Sequence, residues 1–418
     1  MTSLKEVYSF FLASSGVETD TRKSVSNKLF FALKGASFDG NTYALSAIKK
    51  GAVAAIVDQH EIATAHPKCL LVDDVLQTLQ SLANHHRKQF DIPVIALTGS
   101  NGKTTTKELI AAVLNSSFNV LSTEGNLNNH IGVPLTLLRL NNKHSHALIE
   151  MGANHLNEID FLCSIAQPTH GLITNVGKAH LEGFGSENGV LQGKTELYRF
   201  LEKNDGVVFI NQQDGKLLNA LGENLSIAYT PSDFIIHKDH PTLELSFNNI
   251  KINTQLAGIY NKTNIAAAVC VGSTFGVPIE KSAAAISDYT PVNHRSQMVQ
   301  QNNKTIVLDA YNANPTSMHA AVNSFSKRAG KKAVILGTMA ELGSHETNEH
   351  EALVKLVKTM KIECCYWVGS PYKPFVDSNW FETTKSLEAH LKNNPIEADK
   401  ILVKGSRSVR LESLLPYL

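Results

Sequence analysis

The chain has 418 residues, too many for one ordinary hydrophobic core, so two or three domains in series are expected. Hydrophobic residues make up 43%, which allows sizeable cores and excludes a disordered or fibrous protein. Lys plus Arg (39) nearly balance Asp plus Glu (38), and a net charge of +1 supplies no long-range field for nucleic acid or an anionic membrane, so no nucleic-acid partner is expected.

Five cysteines, Cys69, Cys163, Cys270, Cys364 and Cys365, are odd in number and form no Cys-x-x-Cys pair. That argues against a disulfide scaffold or structural zinc and for a reducing compartment, the cytoplasm. The apolar start is interrupted by Lys5 and Glu6, and nowhere do about 18 apolar residues run together, so neither a signal peptide nor a membrane span is expected.

In residues 1–90 short apolar runs (29–33 and 52–57) alternate with turn residues such as Gly35, Asp39, Gly40 and Asn41, as in a small α/β domain. His85-His86-Arg87-Lys88 and Asp91-Ile92-Pro93 mark its end. A second domain, 91–293, opens with the buried-strand run Val94-Ile95-Ala96-Leu97, a glycine turn and a helix over 108–114. A strand at 147–150, a helix at 156–166 and a strand at 171–174 follow, the alternation of a parallel, doubly wound sheet. Over 225–256 the spacing becomes period two, best seen in Leu243, Leu245 and Phe247, so antiparallel strands are expected as an addition. A small-residue helix follows at 264–272. The third domain, 294–418, repeats the alternation with strands at 305–309, 333–337, 364–368 and 401–403 and helices at 318–328 and 350–360, and reads as Rossmann-like.

Thr98-Gly99-Ser100-Asn101-Gly102-Lys103-Thr104-Thr105 lies between a predicted strand and a predicted helix. A phosphate chain needs inward-pointing backbone N–H groups, a lysine for the outer phosphates and a hydroxyl for Mg²⁺. Gly99 and Gly102 permit the tight loop, Lys103 brings the charge and Thr104 the hydroxyl. The spacing Gly-x-x-Gly-Lys-Thr is two residues shorter than the usual phosphate loop, and the bland alternative is a plain strand-to-helix turn. Glu150 ends the next apolar strand, where it would approach the same crevice and could hold Mg²⁺, or equally face water as an ordinary strand-end carboxylate. His180 sits in a loop after a strand, where a lone histidine is more often a hydrogen-bonded structural group than a metal ligand. Lys194 and Glu196 read, on spacing alone, as a surface pair. His345-Glu346-Thr347-Asn348-Glu349-His350 has one residue too many for a zinc protease, placing the imidazoles about 140° apart around a helix instead of about 40°. Cys364-Cys365 reads as core packing.

The loop at 99–105, together with Glu124-Gly125-Asn126-Leu127-Asn128-Asn129-His130-Ile131-Gly132-Val133-Pro134, resembles the Mur ligase family of peptidoglycan synthesis. Asp20-Thr21-Arg22, Phe31-Ala32-Leu33-Lys34-Gly35, Asp39-Gly40, residues 258–264, the stretch Leu336-Gly337-x-Met339-x-Glu341-Leu342-Gly343 and Lys404-Gly405-Ser406-Arg407 extend the resemblance over essentially the whole chain. Its most specific part is Asp309-Ala310-Tyr311-Asn312-Ala313-Asn314-Pro315-x-Ser317-Met318. That stretch resembles the member that joins the tripeptide carboxylate of UDP-MurNAc-tripeptide to the amine of D-Ala-D-Ala, releasing ADP and phosphate.

The resemblance implies an N-terminal UDP-sugar domain, a central ATPase domain and a C-terminal domain that closes over both, acting as a monomer through an acyl phosphate. It aligns Thr104 and Glu150 with a first Mg²⁺ site and His180 with a second. It aligns Lys194 with a lysine that CO₂ converts to a carbamate helping to hold Mg²⁺. Asn261 and Asn264 match positions around the adenine, and Arg295 and Asp309 match groups that meet the nucleotide. Thr21, Lys34, Asn128, Asn129 and His130 fall to the UDP-sugar, and Asn312 and Asn314 to the substrate side of the Asp309–Met318 stretch. Asn41, His294, Leu308 and Thr338 depart from the usual His, Gly, Asp and Asp, which bears on UDP-sugar and dipeptide contacts. A sibling ligase adding the third amino acid or extending folate shares the loop and metal residues. A nucleotide switch would use the loop without ligation and leave the C-terminal motifs unexplained.

Overall fold

The computed structural model describes residues 1–291 and 297–418; His294 and Arg295 lie outside the described residues. Near the start, helix α1 (Leu4–Leu12) is launched by a reciprocal cap in which Ser3 and Glu6 satisfy each other's backbone N–H. Strands β1 (Val17–Glu18), β2 (Leu29–Phe31), β3 (Ala54–Val57) and β4 (Cys69–Leu71) form a parallel sheet in that order. The two-residue period of β2 divides its side chains between two cores: Leu29 and Phe31 face the main core, Phe30 and Ala32 a small one with Ala47 and Val57. Helix α2 (Val75–Arg87), capped by Asp74, leads out of this unit.

The central sheet comprises β5 (Val94–Thr98), β6 (Val120–Ser122), β7 (His146–Glu150), β8 (His170–Ile173), β9 (Val207–Asn211) and β10 (Leu225–Tyr229), all parallel, in the order β10-β9-β8-β5-β7-β6. Helices α3 (Lys103–Asn115), α4 (Glu158–Ala166), α5 (Glu187–Lys194) and α6 (Glu196–Lys203) connect these strands. Every residue of β5 is buried, Val94 and Ala96 toward one core and Ile95 and Leu97 toward the other, because helices cover both faces. The antiparallel strands expected from residue 225 begin later, at β11 (Ile235–Lys238), β12 (Glu244–Phe247) and β13 (Ile250–Asn253). Residues 225–229 pair in parallel with β9 instead. Their alternation reports one-sided burial at a sheet edge, which parallel and antiparallel edges share.

Helix α4 ends at Ala166 with carbonyls that have no helical partner, and α2 supplies the missing donors. The Asn84 amide reaches the Ser164 and Ile165 oxygens at 2.8 and 3.0 Å, and the buried Arg87 guanidinium reaches those of Ala166 and Gln167 at 3.1 and 3.2 Å. A cation at the negative end of a helix is doubly favourable. His86 joins in: Nε2 donates to the Leu140 oxygen and Nδ1 accepts from the Tyr8 hydroxyl. The first unit is thereby stapled to the central one.

After helix α7 (Asn261–Thr274) comes a third sheet: β14 (Gln297–Gln301), β15 (Lys304–Asp309), β16 (Lys332–Gly337), β17 (Cys364–Val368), β18 (Trp380–Phe381) and β19 (Lys400–Lys404). Its order is β14-β15-β19-β16-β17-β18, parallel except for the antiparallel β14. The last strand takes a central place, which sets Lys404 in register with Asp309 at the carboxyl ends of neighbouring strands. Helices α8 (Pro315–Ser326) and α9 (Glu346–Lys358) connect β15 to β16 and β16 to β17. Among the described residues no helix is long and apolar enough to cross a membrane.

Burial holds six histidines, His86, His144, His146, His170, His319 and His350, below the ordinary imidazole value. His350 must stay neutral, since its Nε2 accepts the Met339 N–H while Nδ1 donates to the Glu346 oxygen. Such groups bind fewer protons folded than unfolded, so their contribution is intact above the unfolded value of about 6.5 and is lost as pH falls below it. The melting temperature should therefore drop by about 5 °C or more between about pH 7 and pH 5.5. Calorimetry showing constant stability over that range would reject this.

Candidate active site

Strand β5 delivers the chain into a loop that only glycine can shape at two positions. Gly99 has φ +139° and a Cβ there would stand 2.0 Å from the Thr174 hydroxyl; Gly102 has φ +78° and would meet the Asn264 amide at 2.9 Å. Gly102 is the N-cap of α3 and brings no capping side chain, so the first N–H groups of the helix remain available to an anion. The segment after β8 braces the loop: Ser100 N–H donates to the Asn175 oxygen (2.9 Å), the Thr174 hydroxyl to the Asn101 oxygen (2.6 Å), and Asn101 N–H to the Asn175 amide (3.1 Å). Lys103 folds back, its ammonium 2.6 Å from the Gly99 oxygen.

Glu150, at the end of β7, is 1% exposed. Its Oε1 accepts from the Thr104 hydroxyl (3.2 Å) and the Asn128 amide (2.8 Å), and its own N–H donates to the Thr123 hydroxyl (3.0 Å). Oε2 is buried and has no hydrogen-bond partner among the described residues. The carboxylate is thus not the water-facing group that strand-end position alone allowed. Leaving an anionic oxygen so placed is costly unless a cation meets it.

A cavity of about 610 Å³ opens beside these groups. Of the residues singled out from the sequence, Ser100, Asn101, Gly102, Lys103, Thr104, Thr105, Asn128, Asn129, His130, Glu150, His180, Asn261, Asn264, Asp309, Asn312 and Asn314 line it. Asn261 and Asn264 share one turn of α7, linked at 2.9 Å. From the third sheet, Asn314 caps α8 by accepting the Ser317 N–H (2.9 Å) and donates to the Asn101 amide oxygen at 2.8 Å, tying the phosphate-type loop to β15 and α8. His180 meets Glu341 at 2.5 Å between Nδ1 and Oε2, and this contact holds the Glu341 carboxyl below the usual range.

Among the described residues, four of the predicted ones do not line the cavity. Gly99 opens the loop, its oxygen facing the Lys103 ammonium. Thr21 and Lys34 belong to the first unit, where Lys34 pairs with Asp58 at 2.8 Å and the Thr21 oxygen accepts from Lys50. Lys194 stands behind the wall, its ammonium 3.0 Å from the oxygen of Ala153, which does line the cavity. The surface-pair reading of Lys194 and Glu196 is overturned: both are buried, Lys194 completely. Glu196 accepts the Asn157 and Asp160 N–H groups at the start of α4, and the apolar face that hides Lys194 includes the Phe184 ring, 5.1 Å away. Burial, and then the like charge of Lys103, push the Lys194 amine well below the ordinary lysine value.

Lys404 was not singled out as a site residue, yet it lines the cavity, 2% exposed, with its ammonium 2.5 Å from Asp309 Oδ2. The available signal was its position at the end of the apolar strand Ile401-Leu402-Val403, where crevice residues gather in open α/β sheets. Glu158 also lines the cavity, and its carboxylate holds the Asn154 and His155 N–H groups.

Sequence profiles of known families match along the chain: "Mur ligase family, catalytic domain" over residues 14–87, "Mur ligase middle domain" over 97–272 and "Mur ligase, glutamate ligase domain" over 294–407. The UDP-N-acetylmuramoyl-tripeptide--D-alanyl-D-alanine ligase of Haemophilus influenzae is 36% identical, the match covering 96% of this chain and 92% of that one. A crystal structure of MurF from Acinetobacter baumannii superposes with a TM-score of 0.85 at 29% identity, covering 97% of both chains. MurF ligase from Thermotoga maritima, in complex with ADP, gives 0.85 at 25% identity over 97% of each chain. With profile matches over most of its length and a relative this similar across nearly all of it, the chain belongs to the Mur ligase family.

Proposed function

We propose that this chain is the ATP-dependent ligase that joins D-Ala-D-Ala to UDP-MurNAc-tripeptide, giving UDP-MurNAc-pentapeptide for peptidoglycan synthesis. The observation that carries this reading is the cavity where the glycine loop, Lys103 and Glu150 face Asp309, Asn312 and Lys404 of the third sheet. Whole-length similarity to ligases of that name supports it, and similarity to a relative holding ADP supports nucleotide use. We read residues 1–90 as the UDP-sugar domain, 91–293 as a doubly wound phosphate-loop domain with an antiparallel addition, and 294–418 as a Rossmann-like domain. We read the chain as acting as a monomer.

A carboxylate is a poor acyl donor because its oxygen is a poor leaving group. In our reading a tripeptide carboxylate oxygen attacks the γ-phosphorus of ATP, the bond from that phosphorus to the β–γ bridging oxygen breaks, and ADP departs, leaving an acyl phosphate. The neutral amine of D-Ala-D-Ala then attacks the acyl carbon, the C–O bond breaks, phosphate leaves with the electron pair, and the nitrogen loses its proton. With an α-amino value of about 8, much of the amine is already neutral at mildly alkaline pH. Bringing a carboxylate to a triphosphate is repulsive, and the chain answers with the α3 N-terminus and Lys103 at the point of transfer. Asn261 and Asn264 would flank the adenine, Asp309 would meet the nucleotide, and Asn128, Asn129, His130, Thr21 and Lys34 would hold the UDP-sugar. Arg295, assigned to the nucleotide on resemblance, lies outside the described residues.

The residues present fit Mg²⁺. Glu150 Oε2 and the Thr104 hydroxyl would hold a first ion and His180 a second, and when bound they would neutralise phosphate charge. Lys194 fits carbamylation: burial pushes its amine well below the ordinary lysine value, which favours the neutral form whose Nζ can form a bond to the carbon of CO₂ with loss of a proton.

Lys103→Ala and Glu150→Ala should each lower kcat by about 100-fold or more, the scale of removing one group that stabilises transition-state charge; activity within about ten-fold of wild type would reject those roles. Lys194→Ala should be nearly inactive and partly restored by short-chain carboxylic acids, and full activity without them would reject the carbamate. The reaction itself is tested by phosphate release from Mg-ATP and UDP-MurNAc-tripeptide with and without D-Ala-D-Ala, followed by product mass. Release that needs all three substrates and yields the pentapeptide is expected. Release indifferent to D-Ala-D-Ala would point to a sibling ligase.

A further inference from the structure

The loop after β16 carries Glu341, which the reading above leaves without a task. Its backbone is left-handed, φ 60°, and so is that of His180, φ 53°, on the central unit. Non-glycine residues hold that conformation only where their surroundings over-determine it, and such residues gather at functional contacts. Glu341 grips the turn at His180 twice. Glu341 Oε2 lies 2.5 Å from His180 Nδ1, and the Glu341 backbone oxygen accepts the Glu182 N–H at 3.1 Å. The side-chain contact is close, though the ring N–H is not aimed squarely at the oxygen, and Nδ1 has no other partner among the described residues. Two lone pairs would repel at that separation, so one of the two atoms carries a proton. Behind the loop, Met339 N–H donates to His350 Nε2 at 3.1 Å, which anchors it to α9.

Joining the two units does not need this pair. Lys178 of the central unit already reaches Glu349 of α9 at 2.6 Å, its N–H donates to the Thr316 hydroxyl at 3.0 Å, and Asn314 donates to Asn101. What Glu341 adds is control of one imidazole that lines the cavity.

We propose that Glu341 is a positioning residue for the reaction: from the third-sheet unit it holds the proton on His180 Nδ1, leaves Nε2 as the ring's acceptor, and so makes a competent His180 conditional on the two units being together. A carboxylate that fixes the tautomer of a working histidine is a recurrent arrangement, and losing such a partner typically costs about 10- to 100-fold. The kinetic arm of the test rests on the ligase reading; the spectroscopic arm does not.

The experiment uses full-length protein labelled with ¹⁵N-histidine, metal-free in EDTA at about pH 8, where imidazoles are mostly neutral, with the His180 signal identified by its absence in His180→Gln. Wild type should show Nδ1 protonated and Nε2 bare, and Glu341→Ala should move the proton toward Nε2. In parallel, Glu341→Ala should lower kcat about ten-fold or more with KM for ATP and D-Ala-D-Ala within about two-fold, and Glu341→Gln, which keeps an acceptor oxygen, should recover part of it. Glu349→Gln removes a tie between the units without touching His180 and should leave the ring signal unchanged. An unchanged ring signal in Glu341→Ala overturns the proposal, whatever kcat does, and so does a shifted ring signal with unaltered kcat. Wild-type protein without three-substrate turnover would defeat the ligase reading alone, since the ring spectrum would still decide the contact.

Discussion

The buried carboxylate of Glu150 is the constraint around which the molecule is arranged. An acid held at 1% exposure beside a helix N-terminus is tolerable only in a polar cage, and the cage draws on distant parts of the chain. Thr104 comes from α3, Asn128 from the loop after β6, and Thr123, which accepts the Glu150 N–H, directly follows β6. The same loop continues into His130, whose oxygen accepts from Gln80 on α2. Disturbing Glu150 would therefore reach the staple between the first two units as well as the phosphate-type loop.

The third unit meets this centre through short polar contacts beside apolar packing that joins its core to the central one. Asn314 illustrates the economy: one amide caps α8 and holds Asn101. Lys178 reaches Glu349 in the same manner. Contacts of this kind are weak singly and depend on geometry.

Three of the departures from the family pattern have structural accounts. Asn41 is buried and donates to both Asp39 and Asp58 at 2.8 Å, while Asp58 pairs with Lys34, so the substitution preserves an ordered network around that lysine. Leu308 is fully buried in the core of the third sheet, where a carboxylate would need a partner. Thr338 packs against the bare Cα of Gly369 and continues the ladder through its backbone, accepting from Ser406 N–H and donating to the Val368 oxygen. His294 lies outside the described residues.

What the sequence determined by itself was local: the glycine loop between strand and helix, the buried runs of β5 and β16, the acid at the end of β7, the boundary signals near residue 90 and the family motifs that span the chain. Each depends on neighbours a few residues apart, where backbone sterics and hydrophobic periodicity act directly. The tertiary structure decided the rest. It buried Lys194 and Glu196, which spacing alone had left at the surface, because α5 and α6 pack against the start of α4 and no pattern within three residues reports that. It brought Lys404 beside Asp309 by inserting the final strand into the middle of a sheet. It set Glu341 against His180 across two units, a contact that pairs residues 161 positions apart and exists only when both units are folded and joined. Burial, charge pairing and a shared cavity are properties of surfaces meeting, and a linear pattern records them only where the two surfaces are neighbours along the chain.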